Sequence, residues 1–569
     1  MRKLGKKDFT LLFLSIALII SIIGNGILIF NYPQISTQRD PLTLVVGTYG
    51  PTTLEIVDSD HTSEDTLGQV VETLFTYDLR DPDLPRINLL AESYWWENST
   101  TLHIKLREEI LFHDGTPFNA SAVKWNFDRL QYLINATGTN KGEVAHSREL
   151  WMRPDRTTPI INNSAITGEY NITIELNGAY GPFLNTLTLI QAGMLSPVTH
   201  ENDTKRFLTL SDKPVGTGPF IYEHYIPDVE VLFSRWNEYW NHVVYFKTLR
   251  YKIYDYYDTN GAHQDMLNGQ IDINMLVDEY KLIAYEEDND IIVERYTDDA
   301  GIPGLDYSFL SFNNKKFNQT WRKAFSWALN YSYIFEELLK GTKVRSYSPI
   351  SPGFGDAYNS SVPFKAIPNS GNITFARMVV QSMGFGLNLD LYDDAAWVAQ
   401  ARSAPFRSYD YIHNPLNTFM SDLGVAISNW LDLIGVAQNI WVYDDPMEYY
   451  NYIYDRFDLL GISPIAFGWG PAYLDPFDMF DPLFNPTSLS NIALVNDTIL
   501  NSMMTLSLET TDDTARNRIY KDIQGYMAEE GYFHAPLYHS KLYFVHSADL
   551  QGFPYNAMGK FQAQGIWRE

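Results

Sequence analysis

The spacing of apolar and polar positions changes several times along this chain, and each change predicts an element. Residues 42–46 are apolar and β-branched, as in a strand. Between 64 and 77, Leu67, Val70, Val71 and Leu74 recur at helical spacing behind an acidic first turn, which predicts an amphipathic helix. Strict alternation returns at 102–106 and 171–176 and predicts two half-buried strands. Between 106 and 130, a strand-like run ends in Phe112-His113-Asp114-Gly115, where Asp-Gly supplies the positive φ of a tight turn. Asn119 or Ser121 can then cap a helix with Val123, Phe127 and Leu130 on one face. Residues 135–168 are polar with little periodicity and read as a surface excursion. Gly216-Thr217-Gly218-Pro219 breaks the chain ahead of a strand from Phe220. Without a following helix and Lys-Ser/Thr it reads as a turn rather than a phosphate loop.

After a glycine break at 301–304, a second lobe is expected to begin near Leu305. A long helix is predicted over 321–339, with Trp321, Ala324, Phe325, Ala328 and Leu329 on one face. Residues 341–370 read as an extended loop, 375–383, 418–434 and 516–530 as helices, and 405–412 and 440–443 as strands. Mixed strands and helices without a repeat of about 20–50 residues predict α/β lobes.

A chain of 569 residues exceeds the size at which a single core keeps growing, so two or more lobes are expected. The net charge of −27 argues against nucleic acid as partner. Cysteine is absent, which removes disulfides, thiolate metal sites, cysteine nucleophiles and attachment through a lipidated cysteine. Arg2, Lys3, Lys6 and Lys7 precede an apolar run from Phe9 to about Phe30, long enough to span a bilayer. The basic flank orients the body outward. The rival is a cleaved signal peptide; the length of the run and the lack of a small-x-small site favour an uncleaved anchor. Sequons begin at Asn98, Asn119, Asn135, Asn162, Asn171, Asn202, Asn318, Asn330, Asn359, Asn372 and Asn496, and permit glycosylation outside the cell.

Catalytic patterns are lacking: there is no G-x-S-x-G, no H-E-x-x-H and no tight histidine cluster. No catalytic residue, metal ligand or cofactor is expected. His113 and Asp114 read as turn residues, and Asp444-Asp445 and Asp512-Asp513 as anions at helix starts.

The wording of 106–130 is narrower than its physics. Arg107, Phe112, His113, Asp114, Gly115, Pro117, Ala120 and Val123 resemble the signature of the peptide/nickel class of extracellular solute-binding proteins, which feed ABC importers. Ala122 stands where that signature has Asp. Further matches follow in order: Glu72-Thr73-Leu74, Leu90-Ala91-Glu92-Ser93, Pro214 to Phe220, Arg235 to Trp240, Asn268 to Asp272, Trp321 to Phe325, Gly468-Trp469 and Asp475-Pro476. The resemblance implies an α/β, two-lobed periplasmic-binding-protein-like fold with a subdomain inserted in lobe one, here preceded by one transmembrane helix. The expected boundaries are a cytoplasmic tail at 1–8, an anchor at 9–31, a tether at 32–41, lobe one at 42–304, lobe two at 305–545 and a return to lobe one at 546–569. The hinge crossings fall near 300–308 and 540–548.

By the same resemblance, Tyr49, Asp60 and His61 from lobe one, and Trp469, Tyr473, Asp475 and Tyr538 from lobe two, are the expected ligand contacts. The implied function is capture of a small oligopeptide and its delivery to ABC permease subunits, by a monomer held on the cell membrane. The alternatives are the same fold holding an oligosaccharide or chelated metal, and a secreted hydrolase. In many peptide binders of the class, the Gly-Trp loop carries an Asp that pairs with the peptide's α-ammonium. Ala472 stands at that place. Either another acid such as Asp60 or Asp475 compensates, or the ligand has no free α-amino group.

Overall fold

The computed structural model describes residues 40–136, 144–242, 244–255, 259–413, 417–442, 448 and 462–569. The expected anchor at 9–31, the tail at 1–8, nearly all of the tether and Asp444-Asp445 lie outside them. Residues 44–569 form one compact unit.

The first strand, Thr43–Thr48, runs parallel to Ile273–Asn274, pairing Val46 with Ile273 and Gly47 with Asn274. Around this pair grows a seven-stranded sheet in the order Ile291–Glu294, Phe544–Ser547, Ile273–Asn274, Thr43–Thr48, Thr248–Ile253, Glu230–Arg235 and Phe220–Ile226. Phe544–Ser547 therefore brings the end of the chain back to the sheet with which it began. A second, four-stranded sheet has the order Lys343–Arg345, His534–Ser540, Tyr307–Phe312 and Ile462–Trp469. The chain passes between the two sheets after Glu294 and again after Ser540. A third sheet, ordered Ala91–Asn98, Thr101–Leu106, Asn171–Leu176 and Ile161–Gly168, is inserted before the first is complete.

Alternation places the faces. Tyr307 and Phe309 enter the large core shared with the first sheet, whereas Leu310 and Phe312 enter a separate core with Trp321, Phe325 and Tyr411. The inserted sheet is tied to the second-sheet body by a polar and apolar seam. Arg156 pairs with buried Asp481 at 2.6 Å, and Asn485 donates to the Pro154 carbonyl at 3.0 Å. Glu149 accepts from the Leu489 amide at 2.7 Å, and the Tyr180 ring meets Phe477 edge-on.

Several expectations need correction. The helix foreseen over 64–77 is only His61–Leu67, followed by a strand at Phe75–Tyr77. The four apolar positions are buried as predicted, but Val70 gives its carbonyl to the Gly218 amide, and Gln69 gives its own to Phe220. These non-local bonds replace the helical ones. The excursion at 135–168 is half structured: Ala145–Trp151 is helical, and Ile161–Gly168 pairs with Asn171–Leu176 despite its polar outer face. The helix foreseen over 321–339 ends at Ala328, because Leu329 is extended and the Asn330 side chain caps a new turn. Asn119 caps Ala120–Leu133 as expected, through the amides of Ser121 and Ala122.

Candidate functional site

The sequence motifs converge on scaffolding. Glu72 is buried and accepts from Thr217 Oγ1 at 2.8 Å, Tyr239 Oη at 2.7 Å and Trp240 Nε1 at 2.9 Å. One carboxylate thereby joins three motifs that lie up to 168 residues apart. Burial pushes it up to about 7 against those three donors. His113 takes up the glycine turn from the other side: its amide donates to the Gly216 carbonyl at 2.9 Å, and Nε2 meets the Gly218 carbonyl at 2.9 Å. Burial lowers this imidazole to about 4, so it is neutral and Nε2 is the donor. Asp114 accepts from Ser196, Thr199 and Thr116 and is held below the usual carboxylate range by those hydroxyls, although burial opposes them.

The expected contacts divide. From the first sheet, the parallel strands Thr43–Thr48 and Ile273–Asn274 end side by side and deliver Tyr49 and the 275–281 segment beyond their carboxyl ends. In α/β sheets, ligands collect at that edge. Tyr49 is half-buried, and His61 is exposed at the first position of its helix. Asp60 caps that helix through the Ser63 amide and also accepts from Thr52 and Thr62. Those bonds outweigh burial and lower its pKa.

From the second sheet, Trp469 stands opposite Tyr307 and Tyr538 opposite Ser308, on the two strands flanking Tyr307–Phe312. Neighbouring positions of one strand face opposite ways, so the two aromatics lie on opposite faces. Trp469 is half-buried, and its indole N–H donates to the Asp478 carbonyl at 2.9 Å. Tyr473 is buried and hydrogen-bonded with Tyr180. Asp475 is 2% exposed and accepts from Arg516 at 3.1 Å, Tyr520 Oη at 2.6 Å and the Phe477 amide at 2.9 Å. The structure thus joins Tyr473 and Asp475 in the interior and leaves His61 open.

Sequence reasoning passed over two features here. Lys343 of the second sheet pairs with Glu279 of the 275–281 segment at 3.1 Å, and its ammonium lies 5.9 Å from the Tyr538 ring centroid. No motif flagged either residue. Asp478, also buried, turns its carboxylate onto the amides of Ala472 and Tyr473, and burial raises it to about 7. It stands in the first turn of the helix Phe477–Phe484, just past the Asp475-Pro476 that closes the Gly-Trp loop, and that adjacency was the available signal. Among the described residues, no group of three or more His, Asp or Glu could hold a metal ion.

The model of family 5 of the bacterial extracellular solute-binding proteins matches residues 87–491, well over half of the chain. The chain belongs to that family. This solute-binding protein is 23% identical over 513 residues to a glutathione-binding protein of Salmonella paratyphi A, covering 88% of the chain and 90% of the relative. Its fold superposes with a TM-score of 0.72 on a periplasmic binding protein of Helicobacter pylori solved with the peptide STSA, at 18% identity and over 93% and 98% of the two chains. It superposes with a TM-score of 0.71 on a Campylobacter jejuni protein solved with a nickel–histidine complex, at 19% identity and over 92% and 98%.

The fold is accordingly the two-lobed α/β fold of periplasmic binding proteins, and the protein is a capture component of an ABC importer. Among its described residues, no helix is long and apolar enough to cross a membrane. The Glu279–Lys343 pair then bridges the two lobes beside Tyr538. The family motifs of lobe one bind chiefly to one another, through Glu72 and His113, and serve as framework.

Proposed function

We propose that this protein captures a small peptide-like solute between the 42–304 lobe and the 305–545 lobe, with residues 546–569 returning to lobe one, and passes it to a permease. The Glu279–Lys343 bridge at 3.1 Å supports closure of one lobe on the other. Tyr49, His61 and Trp469 are the proposed contacts whose side chains are open or half-open, whereas Tyr538 is buried beside Lys343 and acts from behind the surface. Tyr473 and Asp475 belong to the loop and act by shaping it. Closure is a population shift: contacts made from both lobes favour the closed state.

The observation that carries the choice of ligand is the loop at Ala472. The carboxylate implied by the resemblance is missing, Asp475 is occupied by Arg516 and Tyr520, Asp478 is buried and occupied by the amides of Ala472 and Tyr473, and Asp60 is occupied as a helix cap. A buried ammonium facing this loop would lack a ready partner, at a cost of about 3–5 kcal/mol. We therefore favour a solute without a free α-amino group. The same observation keeps a non-peptide solute, an oligosaccharide or a chelated metal, as the second reading. Calorimetry with a small peptide and its N-acetylated twin tests this. Similar affinities are expected, and a loss of about a hundredfold on acetylation would reject the reading. Delivery to a membrane permease fits a chain tethered through its basic, apolar N-terminal segment at 1–31, with the main body outside the cell.

A further inference from the structure

A cavity of about 360 Å³ lies wholly within lobe one, and no residue between 242 and 554 lines it. Of the expected interlobe contacts only His61 reaches its rim, and Tyr49, Trp469 and Tyr538 take no part in its lining. Its volume falls in the range of small-molecule pockets, about 300–1,000 Å³. One wall is the His61–Leu67 helix, and the facing wall is the chain end at 554–564. That second wall is pinned: Gln69 accepts from the Ala563 amide at 3.2 Å, Gln562 donates to the Gly68 carbonyl at 3.3 Å, and Arg80 donates to the Gln564 carbonyl at 3.2 Å. The cavity is a braced opening rather than slack packing.

Its chemistry is one-sided. Four carboxylates line it, Glu64, Asp65, Glu72 and Asp78, against two cations, Arg80 and Lys560. Glu72 is saturated by its three donors, and Asp78 accepts from the Arg80 amide at 3.1 Å. Lys560 leans toward Glu64 at 3.8 Å. No donor among the described residues reaches the carboxylate of Asp65, and burial raises this acid to about 6. Val71, Leu89 and Ile190 contribute apolar lining to the same cavity. A half-buried carboxylate that takes no hydrogen bond from the described residues, in a cavity with apolar lining, matches a short alkyl chain ending in an ammonium group.

We propose that lobe one carries a second binding site, between the His61–Leu67 helix and the 554–564 segment, for a small alkylammonium such as a diamine, with Asp65 receiving the ammonium. The test is calorimetry of the full chain with 1,5-diaminopentane, using 1,5-pentanediol as the uncharged control. Saturable binding of the diamine alone is expected. Asp65→Asn should weaken it by about tenfold or more, the loss of one charge-assisted hydrogen bond. Lys560→Glu, on a side chain 26% exposed at the rim, should tighten it by removing a competing cation, and guards against a folding defect in the first variant. Absence of saturable heat with the diamine, equal binding of the diol, or wild-type affinity in both variants would overturn the proposal.

Discussion

Asp475 was an expected ligand contact, yet every bond it makes points inward, and that conflict can be measured. Replacing it with Ala removes the acceptor of Arg516 and of Tyr520 Oη, both of which are buried. Breaking a buried pair costs about 3–5 kcal/mol, chiefly because a charge is stranded. Here the lower end applies, since Arg516 keeps Asp513 at 2.7 Å, although Asp513 is largely solvent-exposed and worth little by itself. Asp475→Ala should therefore destabilise the protein by about 3 kcal/mol. Arg516→Met in the same background should recover part of that, because the stranded charge is gone. A double-mutant cycle followed by tryptophan fluorescence in urea reads the coupling directly. Additive losses, or an Asp475→Ala variant of unchanged stability that has lost solute affinity a hundredfold, would refute the structural role and return Asp475 to the ligand.

Glu72 is raised to about 7 from an ordinary 4.5, so between these pH values the folded state holds a proton that the unfolded state has lost. Its contribution to stability is present at the acid end and is lost as the pH rises through that window, by up to about 3 kcal/mol. Glu72→Gln should flatten denaturation midpoints measured across pH 4.5–7. Gly216→Ala should destabilise lobe one sharply, because a methyl group there runs into the Val70 carbonyl; an unchanged melting temperature would contradict the close approach. Small-angle scattering should show a smaller radius of gyration with bound solute, and an unchanged profile at saturation would remove closure. Full-length protein should stay in the membrane fraction through carbonate washing, whereas release of a product starting near residue 35 would make the N-terminal segment a cleaved signal.

The parts legible in the sequence were those in which one local signal suffices. Asn119 announced its helix, and the alternations at 102–106 and 171–176 announced theirs. Elements decided by distant partners were not legible. Val70 and Val71 carry helical spacing, but the glycine turn some 146 residues later claims that backbone. Phe477–Phe484 escaped because Pro482 lies within it. At the site, Trp469 and Tyr473 looked alike as loop aromatics, and only packing separates the half-open indole from the buried phenol. Glu279 and Lys343 could not be paired in advance, since 64 residues and a lobe crossing lie between them.

The seam between the inserted sheet and the second lobe constrains what can be exchanged among relatives. Arg156, Pro154 and Glu149 find their partners in 481–490, more than 300 residues downstream. A hybrid whose insert brought no cation to the place of Arg156 would leave Asp481 buried and unpaired, and one whose helix brought no acid to the place of Asp481 would do the same to Arg156. The two segments form a single unit of inheritance despite their separation in sequence, and a graft intended to alter solute preference has to move both together.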